Sequence, residues 1–484
     1  MNFTPPLLAP AYPEIFLLMA LSAILLLDLV VPDNRRFLTY AYSQLALVAT
    51  GVLLVGGATG HVFSTFGGMF LDDPLARSLK VVALLAMALV LAYSRTYNQR
   101  HGLFRGEFYV LTLFALLGIM VMISANHFLV LYLGLELLSL STCALIALQR
   151  DSSVATEAAM KYFVLAALAS GLLLYGLSML YGATGSLYMP QVANAIASGV
   201  ADPAILVLGL VFVVAGLSFK LGVVPFHMWV PDVYEGAPTA VTLFVSTVPK
   251  IAAFAFFVRM LVGTLSPMVS DWQSMLVIVS VLSMLVGNVT AIAQTNVKRM
   301  LAYSTISHMG FLLLGILSGT VGGFAAAMFY VVAYVLMSLG AFGLILLLGR
   351  EGFEVNSLDD LKGLNKRSPW YAFMMLLVMI SMAGIPVSVG FFAKLSVLSA
   401  VLDAGMTWLV VFAVLMSLIG AFYYLRVIKL MYMDEPSDIS PLVAEADHRI
   451  LMGLNGMAIL VLGIVPQPLI DLCMFSVTRS LGSG

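Results

Sequence analysis

The chain has 484 residues, of which 62% are hydrophobic and only 10% charged, a balance that no water-soluble domain of this length can present to water. A formal net charge of −1 offers no field for a nucleic-acid partner, and none is expected. Most of this chain has lipid as its solvent, and with no strand pattern or Gly-rich phosphate loop the predicted fold class is an all-α membrane protein.

About fourteen transmembrane helices are predicted, each supplying about 20 apolar residues to cross a hydrocarbon core roughly 30 Å thick. In chain order they lie near 12–31, 38–58, 78–94, 108–124, 127–148, 160–181, 204–226, 239–263, 273–293, 300–318, 321–349, 370–402, 406–430 and 449–472. The first begins at Pro13-Glu14 after a neutral leader with neither a basic start nor a small-residue cleavage site, and so reads as a retained span. With both termini outside, the inner loops collect most of the basic residues, among them Arg35, Arg36, Arg150, Arg299, Lys366 and Arg367. Only Arg77, Lys80, Arg259 and Arg479 remain on the outer side. The longest inner loops, 350–369 and 431–448, have room for a short interfacial helix or a docking surface, but not for a soluble domain binding a nucleotide or flavin. Cys143 and Cys473 fall in apolar spans, as packing residues.

The seventh span contains GLSFKLGVVPFHMW, with Lys220 before Gly222 and Pro225; the twelfth contains SMAGIPVSVGFFAKLSVL, with Gly384 and Pro386 before Lys394. Proline removes a backbone donor and glycine loosens the helix, so both spans should break into half-helices. The mirrored order of lysine and break, in spans of opposite direction, points to two inverted five-helix repeats, about 108–263 and 273–430. Kinks of this composition also occur in membrane helices without any repeat.

Four ionisable residues stand deep in apolar runs: Glu136 in FLVLYLGLELLSLSTCAL, Lys220, Lys250 in STVPKIAAFAFF, and Lys394. Each costs about 2.5–3.5 kcal/mol at a helix centre on insertion scales, so each calls for a function. Burial favours the neutral form of a lysine and a nearby carboxylate favours the charged form, which suits these groups to storing and passing protons. A structural ion pair would account for Glu136 with Lys220 but leave Lys250 and Lys394 without partners. Lys161, nearer a helix start, can snorkel to the interface. His227 and His308 are candidate relay groups or packing histidines, whereas His61, His101, His127 and His448 read as solvated. No two histidines share a helix face at ligand spacing, so neither haem nor a metal centre is expected.

The stretches LYLGLELLSLSTCAL, AMKYF, LSFKLGVVPFHMWVPDVYEGAPT, STVPKIAAF, NVKRMLAYSTISHMGFLLLG and GIPVSVGFFAKLSVL, distributed along essentially the whole chain, closely resemble the antiporter-like membrane subunits of proton-pumping NADH:quinone oxidoreductase, respiratory complex I. Helix eleven, YVVAYVLMSLGAFG, carries Tyr334 and Ser338 where two sibling subunits resemble each other in a histidine and a lysine. That departure, with Lys394 in helix twelve, resembles the paralogue adjoining the small membrane subunits nearest the redox arm, and leaves Tyr334, Ser338 and water to bridge the missing base. The resemblance implies a proton translocase subunit without redox chemistry of its own. Glu136 and Lys220 would form the coupling pair, Lys250 the central relay and Lys394 the outward donor, with His227, Lys161, Lys298 and His308 accessory on the inward route. It further implies a bacterial inner-membrane location, and partners among the other membrane subunits, including a neighbouring antiporter-like subunit and the small ones. No cofactor would belong to this chain, because NADH, FMN, iron–sulfur clusters and quinone would bind elsewhere in the complex. The alternative is a subunit of a multi-protein sodium/proton antiporter, whose large subunits share the broken helices and lysines but usually resemble the histidine-bearing helix eleven.

Overall fold

The computed structural model describes residues 6–32, 35–57, 62–349, 354–436 and 446–481. Its helices are α1 (Tyr12–Asp28), α2 (Phe37–Gly56), α3 (Pro74–Arg100), α4 (Gly106–Ile123), α5 (Phe128–Ile146), α6 (Ser153–Thr184), α7 (Met189–Ala197), α8 (Pro203–Leu221), α9 (Trp229–Gly236) and α10 (Thr239–Phe257). They continue with α11 (Val269–Ala293), α12 (Val297–Leu317), α13 (Val321–Leu348), α14 (Leu364–Arg367), α15 (Pro369–Ala383), α16 (Val389–Asp403), α17 (Thr407–Tyr432), α18 (Ala446–Ile464) and α19 (Gln467–Leu481). A small hairpin, β1 (Phe63–Thr65) with β2 (Phe70–Asp72), precedes α3.

Among the described residues 13 helices are long and apolar enough to cross a membrane, and α15 with α16 make one further crossing in two pieces, giving the fourteen expected. The two repeats are read as α4, α5, α6, α8/α9, α10 and then α11, α12, α13, α15/α16, α17, with the fourth member broken in each. Each repeat opens with a helix pair at backbone contact. A Cβ on Gly118 of α4 would lie 2.7 Å from the Gly134 carbonyl of α5, and one on Gly287 of α11 would lie 2.7 Å from the Ser307 amide of α12. Without a hydrophobic driving force between helices in lipid, such close approach supplies the dispersion contact that holds them together.

Both breaks end on a left-handed glycine, Gly222 at φ 80° and Gly384 at φ 83°, a conformation that costs other residues steric strain. After the first break the Val224-Pro225 peptide is cis, and Val224 donates its amide to Ser283 Oγ of α11 at 2.9 Å. The last span differs from the expected 449–472: α18 stops at Ile464, and α19 starts at Gln467. Pro466 and Pro468 flank the join and interrupt the backbone ladder there. From the join α19 runs antiparallel to α3, bonded through Ser476 to Ser78 at 2.8 Å and through Ser480 to the Leu75 amide at 3.0 Å.

Two of the basic residues assigned by sequence to the outer side, Lys80 and Arg259, are buried in ion pairs. Lys80 is fully buried and pairs with Glu14 of α1 at 2.5 Å, so Glu136 is not the only deep acid. Arg259 sits on a π-helical turn, Val258–Thr264, that continues α10, and both its terminal nitrogens reach Asp73 at 2.8 Å. Asp73 in turn caps α3 by accepting from the Ala76 amide at 2.7 Å. Burial raises the Asp73 carboxyl, but the Arg259 guanidinium and these hydrogen bonds outweigh it and hold the group below the usual aspartate value.

Candidate functional site

Lys250 and Lys394 solve one problem in one way. Lys250 Nζ donates to the Leu221 carbonyl at 2.9 Å, the last residue of α8; Lys394 Nζ donates to the Ala383 carbonyl at 2.9 Å, the last residue of α15. A half-helix that stops inside the bundle leaves carbonyls unpaired and carries partial negative charge at its C-terminus, so an ammonium there satisfies both. Each lysine also lies over an aromatic ring, Lys250 over Trp229 at 5.2 Å and Lys394 over Phe311 at 5.1 Å. Ser417 of α17 accepts a second bond from Lys394 at 2.9 Å. The two breaks are thus capped alike, the first by a lysine from the following helix α10 and the second by a lysine from its own second half α16.

Lys220 turns away from its own break. It donates to Ser139 Oγ of α5 at 2.5 Å, while Glu136, one turn earlier on α5 and half-buried, accepts from Ser170 Oγ of α6. No direct Glu136–Lys220 ion pair forms; both serines and Lys220 line a cavity of about 10 Å³, the room of one water. Each member of the pair thus bonds a hydroxyl, Glu136 that of Ser170 and Lys220 that of Ser139, a group that can both donate and accept.

Helices α12 and α13, each packed against both α10 and α16, carry with α17 a cluster of buried polar groups. His308 bonds the Tyr330 hydroxyl through Nδ1 at 2.7 Å and the Tyr424 hydroxyl through Nε2 at 3.0 Å. Tyr424 continues to Ser304 Oγ at 2.5 Å, and Tyr334 bonds Thr305 Oγ1 at 2.8 Å. Helical spacing explains the set: Ser304, Thr305 and His308 share one face of α12, and Tyr330 and Tyr334 share one face of α13. Tyr334, where the resemblance lacks a helix-eleven base, thus joins this cluster beside His308, with ring centroids 5.5 Å apart.

Lys298 lies in the first turn of α12 and is 1% exposed. Its Nζ bonds Glu354 Oε2 at 3.0 Å and approaches Thr239 Oγ1 at 3.5 Å. Glu354, in the 350–369 loop, also accepts from the Tyr97 hydroxyl. Burial raises its carboxyl, yet the Lys298 ammonium and these hydrogen bonds prevail and hold it below the usual glutamate value. Lys161 does not enter the interior: it is exposed and paired with Glu157 at 2.8 Å and with Asp232 of α9 at 3.0 Å. Asp232 also binds Arg299 at 2.9 Å, linking α6, α9 and α12. His227 lies half-buried between α8 and α9, and its Nδ1 makes no hydrogen bond.

Three histidines read as solvated are not. His448 is 2% exposed, bonded to the Tyr93 carbonyl at 3.0 Å, because α18 packs its start against α3. His127 caps α5 at 7% exposure, and His101 stacks on Tyr97 with centroids 4.1 Å apart; His61 falls outside the described residues. Asp73, Glu354, Tyr330 and Tyr424 escape the sequence reading, as does the pairing of Lys80 with Glu14; the i, i+4 spacing of Tyr330 to Tyr334 is the signal that was available. Among the described residues no group of three His, Cys, Asp or Glu side chains converges as a metal site would.

Residues 125–420 match the family profile described as NADH:quinone oxidoreductase/Mrp antiporter, TM. NADH-quinone oxidoreductase subunit N of Thiobacillus denitrificans is 61% identical over 98% of both chains. The subunit N of Nitrosomonas europaea is 58% identical over 99% of this chain and all of that one. A chain in the structure of respiratory complex I from Thermus thermophilus with bound aureothin superposes with a TM-score of 0.81 at 31% identity, covering 96% of this chain and 99% of that one. A chain of an archaeal membrane-bound sulfane sulfur reductase shares the fold, with a TM-score of 0.88 at 24% identity over 98% of this chain and 97% of that one.

Proposed function

Because this chain belongs to the subunit N family of NADH:quinone oxidoreductase, a proton-translocating membrane component of respiratory complex I, we propose residue roles in which Lys250 and Lys394 are the two proton-storing stations of the route. The observation that carries this reading is their shared placement: each ammonium caps a half-helix inside the bundle, and the His308–tyrosine cluster lies on the helices between them.

Lys298 loads from the inner face; Thr305 and His308 follow it on α12, the histidine about 15 Å further along the axis. His308 suits this position because the neutral ring has one donor and one acceptor nitrogen, and each faces a hydroxyl able to play either part. Lys394 and Ser417 then hand the proton outward. Glu136 acts on Lys220 at a distance, through Ser139 and Ser170, so that a change in its charge alters the charge that Lys220 and, through it, Lys250 prefers. Lys161 and His227 serve as inner-face accessories, Lys161 by fixing Asp232.

The electron-transfer groups belong to other subunits on this reading, and quinone reduction there drives the translocation here. The chain sits in a bacterial inner membrane with both termini outside. The bias of Lys and Arg supports that orientation, since only Arg77, Lys80, Arg259 and Arg479 fall on the outer side. The exposed apolar residues of α5 and α6, Leu133, Leu140, Phe163 and Leu168, flank half-buried Glu136 and fit a neighbouring membrane subunit.

The test uses assembled enzyme carrying Lys250→Ala, Lys394→Ala or Glu136→Gln. Quinone-coupled pumping falls in each, while reduction of an artificial acceptor at the peripheral arm continues. Unmodified pumping in all three would leave only a structural role for the chain.

A further inference from the structure

Lys298 is buried and its one carboxylate contact among the described residues is Glu354, whose side chain is 27% exposed. The carboxylate is held between two elements, Lys298 at the start of α12 and the Tyr97 hydroxyl near the end of α3. Tyr97 is itself fixed, accepting from the Thr239 amide at the start of α10 at 3.2 Å and stacking on His101. The segment that carries Glu354 is strapped onto α12: the Val297 amide donates to the Asn356 carbonyl at 2.8 Å and the Leu358 amide to the Thr295 carbonyl at 2.9 Å. A loop glutamate held this firmly, one edge wet and the other on a buried ammonium, is more than a surface ion pair, whose partners are usually both solvated.

We propose that Glu354 is the proton-entry carboxylate of this chain, the group through which Lys298 is reloaded from the inner aqueous phase. The assignment rests on the proton-route reading above and extends it to the water. In the step, once Lys298 has given up its proton, the Glu354 carboxylate takes one from hydronium of the inner phase, leaving water, and passes it to Lys298 Nζ, which restores the ion pair; an O–H bond is exchanged for an N–H bond, and no bond between heavy atoms forms or breaks. Tyr97 positions the carboxylate, and His101 supplies the other titratable group facing it.

Glu354→Gln keeps the shape and one hydrogen-bond acceptor but carries no exchangeable acid proton. In assembled complex reconstituted into vesicles, its coupled turnover falls, by as much as ~10²-fold if uptake becomes rate-limiting, and millimolar acetate or azide restores it by delivering protons to Lys298 directly. Glu354→Asp, which sets the acid back by one methylene, loses less and is rescued by the same acids; it is read in the same way where the glutamine variant does not assemble. Unmodified turnover in Glu354→Gln overturns the assignment, as does a loss that weak acids leave untouched, which marks the strap as structural only. Lys250→Ala, measured beside it, separates the two readings: if it pumps normally the route itself fails, and if it is impaired while Glu354→Gln is not, only the entry assignment fails.

Discussion

Gly384→Ala tests whether the ammonium cap on the broken helix, and not merely the presence of a lysine, is what the route requires. At φ 83° a side chain is strained, at a cost of about 1–2 kcal/mol. The new Cβ would lie 2.8 Å from Lys394 Cδ and 3.2 Å from its Nζ. Those atoms are the far end of a flexible side chain, so the lysine swings aside and the fold survives. What is lost is the 2.9 Å bond to the Ala383 carbonyl. A hydrogen bond to a charged group contributes about 1.5–3 kcal/mol, so the capped position loses about ten- to a hundredfold in population. Gly222→Ala at the other break meets a different obstacle, because its Cβ would lie 2.6 Å from Cγ2 of buried Val230. The expected pattern is normal assembly with depressed pumping for Gly384→Ala and poor assembly for Gly222→Ala. Gly171→Ala, where nothing lies within 4 Å, should be silent. Assembly is read from native gels of solubilised membranes and pumping from dye quenching in vesicles. A Gly384→Ala enzyme that assembles and pumps at the unmodified rate refutes the cap as a functional element.

The buried Lys80–Glu14 pair should behave as such pairs do: Lys80→Met alone strands the carboxylate and destabilises by about 3–5 kcal/mol, whereas Lys80→Met with Glu14→Gln recovers most of it. Thermal unfolding of the purified complex, followed by loss of this subunit, checks the order, and equal losses in single and double variants would contradict it. The strap over Lys298 should open in acid. Glu354 is held below its ordinary value of 4.5, so its contribution is complete above pH 4.5 and disappears as pH falls from there through the lower folded value. Hydrogen exchange at the Val297 and Leu358 amides reads this, and protection lost already near neutrality would show that Glu354 does not hold the strap.

The spans and both broken helices were legible because apolar length and the Gly–Pro pairs are local properties of the chain. So was the burial of Lys250 and Lys394, which stand in runs where a charge is costly. Partnership was not legible. Lys80 follows an acidic segment at a helix start and reads as an interface residue, and only the packing of α1 near α3 brings it to Glu14, 66 positions earlier. Arg259 and Asp73 are 186 residues apart. Which lysine caps each break was hidden for a related reason: a lysine side chain reaches across a break, so the residue that caps it need not adjoin it in sequence. Lys250 caps a carbonyl 29 positions away. The tyrosines around His308 resemble interfacial aromatics in composition, and their hydroxyls acquire meaning only when α13 and α17 close on α12.

A lysine neutralised by a carboxylate and one that caps a helix differ in what remains after the proton leaves. The first leaves a full anion stranded in a medium of low dielectric, a species whose isolation is expensive enough to pull the proton back. The second leaves only the fractional charge of a few carbonyls, already shared along the helix. Lys250 and Lys394 are of the second kind. Loss of a proton from either therefore strands no isolated anion in the bundle, so on the proposed route each station would empty without a counter-charge having to move with it.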